Sequence, residues 1–234
     1  MRAFRQLPWW WWIASCGLTP AYATTPFSTT SWSISDALFG EAVAVYFEQA
    51  VVCKQQRKAP TPGLMRNEVL GFIAAQERWW PGRIEYRDRL FAVMLSEGHG
   101  LPGGNPTDPS YGVMHVTYLA ARHAATFWRI ESPKRERDFI KRLQEDSRFC
   151  IQIAAGVLAL LESGFGGDWL RAVGGYKCGM KGWADLVAKY PDRPITDLDV
   201  IRGPIEKQRM FECVTMYAQM GTRLKDCQCL VGTP

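Results

Sequence analysis

Wherever Pro and Gly do not interrupt it, the chain repeats its apolar positions with a helical period. Over 33–58, Leu38, Phe39, Ala42, Val43, Tyr46 and Phe47 share one side, Ser33 or Ser35 can cap the start, and Pro60, Pro62 and Gly63 end the run. A second helix is predicted over 67–75, stopped by Trp79-Trp80-Pro81-Gly82, and a third over 84–97. The stretch 98–110 holds four glycines and three prolines, so it reads as a loop with room for a small β-hairpin. Ser110 then caps a predicted helix reaching Ile130, and Ser132-Pro133 opens a charged surface helix over 134–145. The clearest pattern follows. Cys150, Ile153, Ala154, Val157, Leu158 and Leu161 fall at i, i+3, i+4, i+7, i+8 and i+11, marking a central helix bounded by Gly164-Phe165-Gly166-Gly167. Short helices are predicted over 168–176 and 181–190. A last helix over 205–220 turns Met210, Phe211, Val214, Tyr217 and Ala218 inward. Convincing period-2 runs and internal repeats are absent, so the fold class is mainly α.

The first residues read as a leader rather than as part of this pattern. Arg2 and Arg5 precede an apolar run containing Trp9, Trp10, Trp11 and Trp12; Pro20 then precedes Ala21-Tyr22-Ala23, a small-x-small cleavage site. Residues 1–23 are therefore read as a signal peptide. The alternative is a lipoprotein, because Ile13-Ala14-Ser15-Cys16 resembles a lipobox and would leave Cys16 lipidated. Either route exports the chain, and a periplasmic location is expected.

Export changes the meaning of the cysteines. Of seven, Cys16 leaves with the leader and six remain: Cys53, Cys150, Cys178, Cys213, Cys227 and Cys229. An even number in an oxidising compartment predicts disulfides that staple the fold, with connectivity left open. No Cys-x-x-Cys occurs and His99, His115 and His123 lack zinc-ligand spacing, so no metal is expected. Losing Arg2 and Arg5 lowers the formal charge of +5 by two. That mild excess suits an anionic wall polymer or membrane surface and falls short of a nucleic-acid signature.

Candidate chemistry centres on Glu97. Leu90, Val93, Met94 and Glu97 stand at i, i+3, i+4 and i+7, so the glutamate continues a buried face. A carboxyl there must be paired or kept protonated, and a protonated glutamate is a general acid. The bland alternative is a solvated residue at a helix end. Fifteen residues on comes Gly112-Val113-Met114-His115, then Ala155-Gly156-Val157, Phe165-Gly166-Gly167-Asp168 and Gly175-Tyr176-Lys177-Cys178-Gly179. In this order the pieces resemble the soluble-lytic-transglycosylase (lysozyme-like) domain, whose members show Glu-Ser, Gly-Leu-Met-Gln, an Ala-Gly-Val helix and Ala-Tyr-Asn-x-Gly. The resemblance covers about 84–188. With the leader (1–23) read above, this divides the chain into an N-terminal helical extension (24–82), a lysozyme-like domain (83–190) and a C-terminal helix with a Cys-containing tail (191–234).

The resemblance implies cleavage of the MurNAc–GlcNAc bond of peptidoglycan, with Glu97 catalytic and Met114, His115, Tyr176, Gly98 and Lys177 facing substrate. In the family mechanism the glutamate protonates the leaving oxygen and then takes the proton of the C6 hydroxyl, giving a 1,6-anhydro end without metal or cofactor. As general acid Glu97 needs a pKa raised towards about 6, with Met94 and Met114 as an apolar wall. Gly98, His115 and Lys177 replace the family's serine, glutamine and asparagine. These departures favour a non-catalytic peptidoglycan-binding or assembly factor as one alternative; a hydrolytic muramidase, with Asp108 the only acidic residue between Glu97 and the Gly-Val-Met-His turn, is the other. Glu162-Ser163-Gly164-Phe165 matches the Glu-Ser signature literally but lacks the following Gly-x-Met, and is read as coincidence. Trp79 and Trp80 can stack on sugars, though tryptophans before Pro-Gly more often close a core. Relatives of this size open the wall for secretion, conjugation or pilus machines, so glycan strands and components of such an apparatus are the expected partners.

Overall fold

The structure, a computed structural model, describes residues 34–52, 62–98 and 109–219. In chain order these form α1 (Ile34–Val52), α2 (Pro62–Trp79), α3 (Glu85–Gly98), strands β1 (Ser110–Tyr111) and β2 (Val116–Thr117), α4 (Tyr118–Phe127), α5 (Glu136–Glu145), α6 (Ser147–Gly164), α7 (Trp169–Lys189), a 3-10 turn (Ile195–Asp197) and α8 (Asp199–Gln219). The described chain is mainly α, as the periodicity predicts. None of its helices is long and apolar enough to cross a membrane.

The central helix is α6. Twelve of its residues are buried, and a helix apolar on nearly every side must be surrounded by others. Asp146 caps it by accepting the Phe149 N–H at 2.9 Å, and Gly167 N–H closes the far end on the Glu162 carbonyl at 2.8 Å. Against it lie α2, α4, α5 and α7. Gly156 leaves room for Trp128, whose indole N–H donates to the Gly156 carbonyl at 2.9 Å. The helix α5 buries only Phe139 and Leu143, matching the surface helix expected there.

A second packing centre forms around Phe91 of α3. Its ring meets Phe39 and Tyr46 of α1, Phe72 of α2 and Phe211 of α8 at centroid distances of 4.4 to 6.3 Å. Helices before and after the 83–190 stretch thus share one hydrophobic cluster with it. Arg87 of α3 ties the same region together through polar contacts. It pairs with Asp36 of α1 and donates to the Gln76 side chain of α2 at 2.9 Å.

Two expectations are corrected between α3 and α4. Ser110 caps no helix; it pairs with Thr117, and Tyr111 with Val116, in an antiparallel hairpin. The helix starts only at Tyr118, with the Thr117 hydroxyl accepting the Ala120 N–H at 3.5 Å. The cause is the turn: Gly112 (φ +70°) and His115 (φ +49°) are left-handed, and a right-handed helix cannot run through them. The hairpin therefore spans 110–117 rather than lying within 98–110, of which 99–108 are outside the described residues. Further on, the two short helices expected over 168–190 are present as the two halves of α7, divided at Gly179, whose backbone is non-helical (φ 69°, ψ 160°).

The disulfide expectation is corrected for two of the six cysteines. Cys150 and Cys178 are free thiols. Cys150 is fully buried between α6 and the hairpin, its Sγ 3.7 Å from the Tyr111 carbonyl, and burial pushes its thiol up to about 12. It packs there as a small apolar side chain. Cys53, Cys227, Cys229 and the Cys213 side chain lie outside the described residues, as do the leader and Cys16.

Candidate active site

Glu97 occupies the last turn of α3, and Gly98 closes that helix. Its carboxylate Oε1 accepts from Lys177 Nζ of α7 at 2.6 Å, across 80 residues of chain. The two side chains are 16% and 19% exposed, so neither is the solvated residue that a helix end or a surface lysine suggests. Lys177 also points its ammonium at Ser96, 3.4 Å from the carbonyl and 3.5 Å from the hydroxyl. The Ser96 hydroxyl in turn donates to the Val93 carbonyl at 2.8 Å. An unpaired acid against a methionine wall is therefore not what the chain builds. Met94 and Met114 are fully buried, and the carboxylate is met by an ammonium.

Tyr176 precedes Lys177 and connects this pair to the hairpin turn. Its hydroxyl donates to the Met114 carbonyl at 2.8 Å. Burial, and after it the Glu97 charge, raises the phenol well above its ordinary range, so it stays a neutral donor. Cys178 feels the same surroundings: its thiol is raised mainly by burial, with Lys177 and Glu97 acting in opposite directions. His115 ends the turn, its N–H donating to the Gly112 carbonyl at 3.1 Å. Its Nε2 is buried and has no hydrogen-bond partner among the described residues. Gly112 is required on two grounds. Its φ is positive, and an added Cβ would overlap the Leu143 carbonyl and the Cys150 sulfur.

Glu97 and Lys177 are thus in direct contact, as are Tyr176 and Met114, and the two pairs are joined by the adjacency of Tyr176 and Lys177 in the chain, with Gly98 and His115 as further chain neighbours. Asp108 lies outside the described residues. Glu162 belongs elsewhere: its carboxylate accepts the Trp80 indole N–H at 2.6 Å and the Tyr86 hydroxyl. Trp80 is buried and stacked on Tyr86 at 4.4 Å, and buried Trp79 packs on Trp128 at 4.6 Å; both close the core.

Two features escaped the sequence reading. The pairing of Lys177 with Glu97 leaves no local pattern, since the partners come from different helices. Glu68 did leave one, because it stands at i with Phe72, Ala75 and Trp79 at i+4, i+7 and i+11. It is almost completely buried in α2, neither oxygen is hydrogen-bonded among the described residues, and burial raises its carboxyl to about 8. Comparison of the chain with protein-family models, with curated proteins and with solved structures finds no match.

Proposed function

We propose that the chain is an exported lytic transglycosylase that cuts the MurNAc–GlcNAc β-1,4 bond of peptidoglycan. The observation that carries this reading is convergence: Glu97 and Lys177 touch, and Tyr176 bonds to Met114, joining motif pieces spread over 80 residues. Glu97 is the single acid and base. Its carboxyl gives a proton to the glycosidic oxygen as the C1–O bond breaks, and the N-acetyl group of MurNAc supports the positive charge at C1. The carboxylate then takes the proton of the C6 hydroxyl as O6 bonds to C1, closing the 1,6-anhydro ring. Lys177 occupies Oε1, so proton exchange falls to Oε2, which receives no hydrogen bond among the described residues. Tyr176 holds the hairpin turn, and with it His115, against α7.

The surroundings of this function are part of the same proposal. A lysozyme-like arrangement of the helices and local wall opening for a secretion, conjugation or pilus apparatus follow from the motif resemblance, and a periplasmic location follows from the leader, by removal of 1–23 or lipidation at Cys16. Any disulfide staple is assigned to Cys53, Cys213, Cys227 and Cys229.

One observation favours a second reading, a wall-binding factor without turnover. The ammonium of Lys177 occupies one of the two oxygens of the candidate acid, at a position where the resembled domain carries an asparagine. Purified sacculi digested with the protein separate the two. Muropeptides with 1,6-anhydro ends, lost by several orders of magnitude in Glu97→Gln, are the expected result. Reducing ends would indicate the hydrolytic muramidase, and sacculus binding with no release would indicate the binding factor.

A further inference from the structure

We propose that the open cleft at the N-terminal ends of α3 and α7 binds a ligand bearing several oxyanion groups, carboxylate or phosphate. The cleft measures about 550 Å³ and is lined by Arg83, Arg89, Arg209 and Gln208, with Tyr86 and Trp169 in its wall. That volume lies in the range of small-molecule sites and exceeds what one inorganic ion fills.

Arg89 is its central group. The guanidinium lies 4.6 Å from the Tyr86 ring centroid and 5.7 Å from that of Trp169, so two aromatic faces hold it in place. A guanidinium held this way presents a fixed fork to oxyanions. Its Nε is buried and has no acceptor among the described residues. Arg209, exposed on α8, likewise forms no salt bridge among the described residues.

Three acidic groups near the cleft have other partners, and the Arg89 charge acts on one of them, Glu85, without a hydrogen bond. Glu85 takes Arg83 at 2.9 Å, and Asp168 takes the Arg171 N–H at 3.1 Å and its guanidinium at 3.2 Å. Glu162, behind Tyr86, accepts from Tyr86 and Trp80. None of them is bonded to Arg89 or Arg209. Asp168 and Trp169 begin α7, whose first turn adds N–H groups without intrahelical acceptors and the positive end of the helix dipole.

The site is separate from Glu97. Arg89 precedes it by eight residues on α3, about 12 Å along the axis at the helical rise. The inference therefore stands whether or not Glu97 is an acid. It extends to any ligand whose oxyanion groups reach the cleft, and two probes distinguish the chemistry.

Isothermal titration of the full chain at low ionic strength with pyrophosphate and with citrate tests it. Saturable one-site binding of either is expected, and the tighter of the two identifies a phosphate or a carboxylate ligand. Arg89→Gln and Arg209→Ala should each weaken binding by about tenfold, the loss of one charged hydrogen bond. Arg129→Ala, on an exposed arginine outside the cleft, should leave it unchanged. If circular dichroism shows that Arg89→Gln disturbs the fold, Arg209→Ala decides alone. Absence of saturable binding with both probes, or affinities unaltered by the cleft variants, overturns the proposal.

Discussion

Lys177 donates to the Glu97 carboxylate at 2.6 Å, so the residue following the anchoring tyrosine is itself the partner of the candidate acid. The pair is neither solvated nor sealed. At 16% and 19% exposure water screens the pair only in part, so its Coulombic gain is offset by the partial desolvation of both charges. Its main consequence is chemical: in the resting arrangement, one oxygen of the acid is taken.

Replacing that lysine follows directly. Lys177→Asn frees Oε1 and places at 177 the residue type carried there by the domain that the motifs resemble. If Lys177 restrains Glu97, release of anhydro-muropeptides should rise about threefold to tenfold, equivalent to roughly 1 kcal/mol of barrier. Lower release from a folded variant would assign Lys177 to substrate binding instead.

The hairpin turn provides the second test. Gly112→Ala meets a left-handed backbone that disfavours L side chains by roughly 1–2 kcal/mol, and its methyl group overlaps Leu143 and Cys150. A loss of about 3 kcal/mol in chemical denaturation is expected, together with reduced sacculus cleavage, because Met114 moves with the turn. A variant as stable as the parent would show that the turn is not held as described.

Glu162 should behave as a structural carboxylate. In Glu162→Gln the amide oxygen can accept from the Trp80 indole while the NH2 meets the Tyr86 hydroxyl, whose own proton then loses its acceptor. Stability should fall by about 2 kcal/mol with turnover nearly unchanged. Loss of turnover in folded protein would move the acid to this position.

Glu68 predicts a pH dependence. Burial lifts its carboxyl from 4.5 to about 8, so between those values the folded chain keeps a proton that the unfolded chain has lost. Its contribution is therefore most favourable below about 4.5 and declines as pH rises towards 8, by about 1.4 kcal/mol per unit. Glu68→Met removes the ionisable group at similar length. Thermal unfolding should show the variant gaining on the parent from pH 5 to pH 8. Parallel profiles would mean that Glu68 is not buried unpaired.

The helices were legible because burial repeats with helical geometry. Cys150 to Leu161 display the stripe that becomes α6, and Phe39, Val43 and Phe47 display that of α1. Glu97 was legible for the same reason, as a carboxyl on a stripe with Leu90, Val93 and Met94. The hairpin was not. Two-residue strands carry no alternation, and their position depends on left-handed Gly112 and His115 packed against Leu143 and Cys150. Nor could spacing identify the partners of Glu97 or Glu162, since Lys177, Trp80 and Tyr86 approach them from other parts of the chain at separations of 76 to 82 residues. The cysteines mark the same boundary. Their even number follows from the sequence alone, whereas the free state of Cys150 follows from its enclosure between α6 and the hairpin. Local periodicity determines which face of each element is buried; only the packing of those faces decides which polar groups meet inside.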